Sequence, residues 1–280
     1  GIRGAMFTRT WLPALALVAI LAAPAGAAYP CIVCPRPISA GTYLTYEVDG
    51  RDFYTHGDHA RLQVCQGCAG LLAARSPWGV GGVEADGLQF CNRCRASVVR
   101  SEARGQRLVD SVRGQMQSWG MKFAWGKIPV KLVDQATLDG KAAARHPGSR
   151  TSGVTDSAVR TWTDGRRELV KLRILMRNTL PEAEFQRTAA HELTHAWMSM
   201  QNSPRDADQA FVEGACNLVA YYYLQTQSTP DATRIRKAML ASDDPVYGEG
   251  LRRQIKYATD HRVRGLLKIL PSATGFPAGY

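Results

Sequence analysis

Six cysteines in three Cys-x-x-Cys pairs set the terms for the first hundred residues: Cys31/Cys34, Cys65/Cys68 and Cys91/Cys94. Two intervening residues let both sulfurs of a tight turn face one tetrahedral ion, and two such knuckles complete a site. Cys65, Cys68, Cys91 and Cys94 form one set of four. Cys31 and Cys34 have no further cysteine pair, but His56 and His59 in Tyr54-Thr55-His56-Gly57-Asp58-His59 supply two imidazoles at the same short spacing. Disulfides are the alternative in an oxidising compartment, yet they require neither the knuckle spacing nor the histidine pair. The expectation is two structural zinc sites, each closed by four protein ligands. A hairpin from Tyr43–Val48 through Asp49-Gly50 to Asp52-Phe53-Tyr54 lies among the ligands. Apolar content here is thin, so metal binding is expected to supply most of the folding energy.

The second constraint is His191-Glu192-Leu193-Thr194-His195. The stretch from Asn178 to Glu182 offers a capping residue, an early proline and a first-turn acid, which predicts a helix running to about Met200. Phe185, Ala189, Leu193, Trp197 and Met200 recur at helical spacing and give its buried stripe. His191 and His195, one turn apart, project together and can grip one ion. Glu192 is offset by one position, which suits a general base acting on water activated by the metal.

A third ligand must come from elsewhere, because Met198 and Gln201 break the extended motif that would place it on the same helix. A second helix is predicted over about Asp208 to Gln225, with Phe211, Val212, Ala215, Leu218, Val219 and Tyr222 as its apolar face. Glu213 on another face is the expected third ligand of a catalytic zinc, with Asp206 and Asp208 as alternatives. Asn217, one turn further on, is placed to orient a ligand imidazole. For an oxyanion donor His261, Tyr223 and Tyr247 are candidates. Cys216 reads as a small buried side chain rather than a nucleophile.

Between these motifs, Ala96–Gly120 has helical periodicity, Lys127–Asp134 and Leu169–Met176 read as strands, and Gly140–Asp156 reads as a loop. Asp231–Ser242 and Gly250–Leu270 read as helices. Near the start, Met6, Arg9 and the apolar run from Leu12 to Pro24, followed by Ala25-Gly26-Ala27, read as a signal peptide over 6–27. The apolar run is too short to span a bilayer, so export to the periplasm or medium is expected, with no stable membrane span after signal removal. The formal charge of +11 is scattered rather than clustered and gives no reason to expect a nucleic-acid partner.

The order of parts resembles the LIM-peptidase family named for the plant organ-size regulator DA-one. The resemblance rests on the double zinc module, the basic helical connector, His191-Glu192-Leu193-Thr194-His195-Ala196-Trp197 and Val212-Glu213-Gly214-Ala215-Cys216-Asn217. It implies a gluzincin-like peptidase domain in which His191, His195 and Glu213 are ligands and Glu192 the base. His59 and Cys65 are separated by five residues where LIM modules usually have two, and no ubiquitin-interacting segment of the plant members is found. The expected fold class is α+β: a LIM-like double zinc-binding β module over 29–97, then a mainly helical metallopeptidase domain with a small sheet over 98–280. The expected activity is hydrolysis of a protein or peptide substrate with one catalytic and two structural Zn2+ ions, the front module being structural or recruiting a protein partner. A zinc-stabilised protein-binding scaffold without turnover is the alternative.

Overall fold

The computed structural model describes residues 18–22, 28–39, 41–48, 50–142, 151–204 and 206–280, and has an α+β fold. It divides into two compact units, one ending at Val98 and the other running from Val99 to Tyr280. Of the segment read as a signal peptide, Val18–Ala22 is described and forms β1, while the remainder lies outside the described residues.

In the first unit β1 pairs antiparallel with β4 (Thr42–Val48), which pairs with β5 (Arg51–His56). Gly50, at φ +72°, turns the chain between β4 and β5, as the hairpin reading requires; Asp49 lies outside the described residues. Two short ribbons flank the ligands: β2 (Tyr29–Pro30) with β3 (Pro37–Ile38), and β6 (Gly82–Val83) with β7 (Gln89–Phe90). The helix α1 (Asn92–Ser97) closes the unit. Leu44, Tyr46, Leu71, Leu72, Trp78 and Phe90 are buried together, so the apolar core is larger than the sequence suggested. Metal binding is therefore not its sole source of cohesion.

In the second unit, α2 (Glu102–Ser118) begins at Ser101, whose side chain accepts from the Arg104 amide. The single periodic stretch read over Ala96–Gly120 is thus two helices, because this cap starts a new one after α1 has ended at Val98. A three-stranded sheet follows in the order β8 (Val130–Val133), β10 (Arg167–Arg177), β9 (Gly153–Thr161), with β8 parallel and β9 antiparallel to β10. The loop reading of Gly140–Asp156 is corrected at both ends: α3 (Gln135–Ala142) covers its start and β9 its end. β9 is an edge strand with one half-buried face, and its apolar alternation is too weak to stand out in the sequence. Residues 143–150 lie outside the described residues.

Four helices complete the unit: α4 (Glu182–Met200), α5 (Gln209–Gln225), α6 (Pro230–Leu240) and α7 (Gly248–Ile269). The N-cap of α4 is Pro181 without a side-chain cap bond, because Asn178 is drawn into the end of the sheet, its amide donating to the Val133 carbonyl. Glu182 and Glu184 in the first turn complement the helix dipole instead. The core joins Met116 of α2, Ile174 and Met176 of β10, Phe185 and Leu193 of α4, and Phe211 and Leu218 of α5. Among the described residues no helix is long and apolar enough to cross a membrane.

Candidate metal centres

The first unit brings its eight predicted ligands into two groups, within each of which the donor atoms all lie within 4.8 Å of one another. Cys31 bridges to Tyr54 in parallel fashion, and the Ile32 amide donates to the Tyr54 carbonyl at 3.0 Å. That pairing sets Cys31 beside the end of β5, where His56 sits. Cys34 Sγ is 3.6 Å from His56 Nδ1, and the two imidazoles are 5.2 Å apart between ring centres. His59 Nε2 is buried without a hydrogen-bond partner among the described residues. A buried imidazole nitrogen left unmatched costs free energy, and a cation among these four donors removes the cost. Burial works against a thiolate at Cys31, but amides of Cys34, Val33 and His56 aimed at the sulfur outweigh it and lower the pKa to about 6. The thiol is thereby prepared for metal.

In the second group Cys68 Sγ and Cys91 Sγ are 3.8 Å apart. Ligand bonds of about 2.3 Å to a tetrahedral zinc put sulfurs about 3.8 Å apart, whereas a disulfide needs about 2.05 Å. All six knuckle cysteines are free thiols. Amides point at the sulfurs as a knuckle requires: Gly67 and Cys91 donate to Cys65 at 3.4 and 3.2 Å, and Cys94 donates to Cys91 at 3.4 Å. Hydrogen bonds from the Cys65, Cys68 and Cys94 thiols hold Cys91 strongly toward the thiolate, while Cys68 and Cys94 are pushed toward the protonated form by the sulfurs around them. Four buried thiols crowd too much charge to ionise together unless a dication neutralises them.

In the second unit α4 supplies His191 and His195, and α5 supplies Glu213. His191 Nε2 and His195 Nε2 are 3.2 Å apart, and Glu213 Oε2 is 3.1 Å from the first and 3.4 Å from the second. Bonds of about 2.0–2.1 Å to a tetrahedral ion give edges of about 3.3–3.4 Å, so these three atoms outline one face of such a tetrahedron. The residues fit a zinc ion. Asp208, an alternative third ligand, is the N-cap of α5 and accepts from the Phe211 amide at 2.8 Å; Asp206 is exposed in the loop before it.

Asn217 fixes the tautomer of His191. Its amide nitrogen donates to the Tyr247 carbonyl at 3.1 Å, which leaves Oδ1 to accept from His191 Nδ1 at 3.0 Å. The proton therefore resides on Nδ1 and the Nε2 lone pair faces the ion site. Burial opposes charge at His195, but Cys216 and Glu213 beside it hold its pKa well above the ordinary imidazole value. A field that favours a proton there favours a metal cation in the same place. Cys216 is fully buried; burial pushes its thiol up to about 11, against the opposing pull of His195 beside it. Its sulfur nevertheless lies within 4.8 Å of the ligand nitrogens of both histidines, a proximity that sequence reading did not anticipate.

Glu192 is buried and held from β9. Thr155 Oγ1 lies 2.8 Å from Glu192 Oε2 and 2.7 Å from the Glu192 carbonyl oxygen, so its one proton serves either acceptor. Two positions earlier, Gly153 has no room for a side chain: a Cβ there would meet Thr188 Cγ2 at 2.6 Å and Glu192 Cγ at 3.0 Å. The glycine lets the edge strand close on the glutamate. Of the oxyanion candidates, Tyr247 has its ring centre 6.4 Å from that of His191, and after burial the carboxylates of Glu213 and Glu192 help push its hydroxyl pKa upward. Tyr223 is buried in the core, with Glu182 as the acid that perturbs it. The side chain of His261 lies outside the described residues. A cleft of about 580 Å3 opens onto His195 and Glu213 and continues along Thr155, Ser157 and Val159 of β9.

Two comparisons bear on this arrangement. Residues 141–244 match the family model described as "DA1-like: Protein DA1". The LIM domain-containing protein HDR3 of Oryza sativa subsp. japonica is 23% identical over 221 residues, which cover 70% of this chain and 43% of that protein. The chain thus aligns with less than half the length of this relative. No solved structure gives a significant match. Together the two matches support the DA1/LIM-peptidase resemblance read from the sequence, and with the Cys/His clusters they support a zinc-binding protein of the DA1 type.

Proposed function

We propose that the second unit is a zinc metallopeptidase that hydrolyses amide bonds of a peptide or protein, with His191, His195 and Glu213 as its metal ligands and Glu192 as its base. The observation that carries this reading is the convergence of three ligand atoms from two helices, at 3.1–3.4 Å from one another, beside a buried glutamate. Zinc held by these residues would supply Lewis-acid activation of water and of the scissile carbonyl.

The rest follows from the chain's own groups. Glu192 takes the proton of the attacking water and returns it to the departing amine, a shuttle that needs a carboxylate held in one place. The Thr155 hydroxyl supplies that restraint, and the Asn217–His191 bond keeps the imidazole aimed. Cys216, fully buried beside the two histidines, is not assigned a role as nucleophile. In the front module Cys31, Cys34, His56 and His59, and Cys65, Cys68, Cys91 and Cys94, would hold two structural zinc ions.

Glu192→Gln tests the assignment. The substitution keeps size and an acceptor for Thr155 but removes the base, so zinc content and thermal stability are expected to stay at the native level. Peptide release from a casein digest should fall by about 10²-fold or more, the scale of general-base catalysis. Undiminished release would remove Glu192 from the role; no release from the native protein under any zinc loading would favour the scaffold without turnover.

A further inference from the structure

The cleft that leaves the metal site is lined at its far end by Arg167, and the other cations of the β9–β10 hairpin are differently employed. Arg160 and Arg166 stack on the two sides of the Trp162 turn, 5.4 and 5.6 Å from the ring centre, and Arg166 also pairs with Asp164. Lys171 and Arg173 both pair with Asp156, at 2.8 and 2.7 Å. Arg167 has no ion pair or hydrogen bond from its side chain among the described residues, although it is half-buried in the cleft wall. Among the described residues Glu213 is the single acid lining this cleft, and it is engaged with the two histidines.

Strand register shows which way this arginine faces. Arg167 stands opposite Thr161, and positions alternating from there along β9, Val159, Ser157 and Thr155, are the ones that line the cleft. Side chains two apart on a strand share a face. The guanidinium therefore lies on the same wall as the threonine that holds Glu192. Thr155 and Thr161 are six positions apart, about 20 Å of strand, and an arginine side chain reaches back over part of that span.

We infer that Arg167 reads a carboxylate on the bound peptide, several residues from the scissile bond, and gives the cleft a preference for acidic peptides. The inference rests on the peptidase reading for its ligand class. A guanidinium already partly withdrawn from water and lacking an internal partner gains more from a carboxylate than a fully solvated one does, and its two parallel N–H groups match both oxygens. The carboxylate is either an aspartate or glutamate side chain or the peptide's own C-terminus; the chemistry at Arg167 is the same.

The test uses full-length, zinc-loaded Glu192→Gln protein and fluorescein-labelled amidated decapeptides of one neutral sequence, with glutamate or glutamine placed at each position in turn. A further glutamine peptide has a free carboxyl terminus. Fluorescence anisotropy is expected to show about tenfold tighter binding for glutamate at one position, or for the free terminus, which separates the two sources. The advantage should fall to twofold or less when Arg167→Gln is added and be partly kept by Arg167→Lys. Equal binding of all peptides, or an advantage that survives Arg167→Gln, overturns the inference. Cleavage of the same peptides by the native protein separates the two claims. Cleavage without an acid preference removes the role of Arg167 and leaves the peptidase. An Arg167-dependent preference in binding without any cleavage removes the peptidase and leaves Arg167 as the carboxylate reader of a peptide-binding cleft. No binding of any peptide overturns both.

Discussion

A histidine becomes a dependable ligand when its other nitrogen is spoken for, and in this site Asn217 does that for His191. The amide cannot flip without losing its bond to the Tyr247 carbonyl, so one side chain fixes both the orientation and the tautomer of the imidazole. Asn217→Ala is expected to weaken zinc binding at this site by about 10–100-fold, measured by competition with a chromophoric chelator after the two front sites are saturated. Asn217→Asp, which keeps an acceptor for Nδ1 but loses the donor to the Tyr247 carbonyl, should retain part of the affinity. Equal affinity in the alanine variant would mean that the 3.0 Å contact does not orient the ring. Most of the proposed ligand residues could be named from the sequence because their spacing is local, four residues on one helix or two within a knuckle; Glu213 was named from the helical register of α5. The partners of Glu192 were not legible, since Thr155 and Gly153 act through a strand that reaches the helix only after folding.

Among the elements, α4 and α5 were readable because each carries an apolar face at helical spacing, and α5 also has a side-chain cap in Asp208. β9 was not, for the opposite reason: burial fades along it toward the hairpin, leaving residues such as Ser157 and Arg160 where an interior strand would carry apolar ones. The close approach of α5 and α7 was also hidden, although its cause is one residue from a ligand. Gly214 packs on Gly250, and a Cβ at 214 would meet the Gly250 backbone at 2.5 Å. An alanine gains about 1 kcal/mol of helix propensity, but the backbone it meets cannot swing aside, and overpacking of this kind costs about 1–3 kcal/mol. The clash should win. Gly214→Ala is expected to lower the melting temperature by a few degrees and to disturb zinc binding through Glu213. Gly114→Ala on α2, where the new methyl meets open space, should instead raise it slightly. A Gly214→Ala protein that melts higher with its zinc intact would show that the helices have slack.

Considered whole, the molecule gathers six of its seven cysteines in the first unit and places its HELTH helix in the second. In the proposed assignment each front site has four protein donors, whereas the site between α4 and α5 has two imidazoles and a carboxylate facing the cleft. About three zinc ions per chain are therefore expected at saturation. The most direct test is zinc content by mass spectrometry of the native protein and of His191→Ala, each dialysed against the same weak chelator. About three ions are expected in the native protein and about two in the variant, with the first unit still folded by circular dichroism. A variant that keeps all three, or a native protein that saturates at two, would contradict the assignment of His191, His195 and Glu213 as a zinc site.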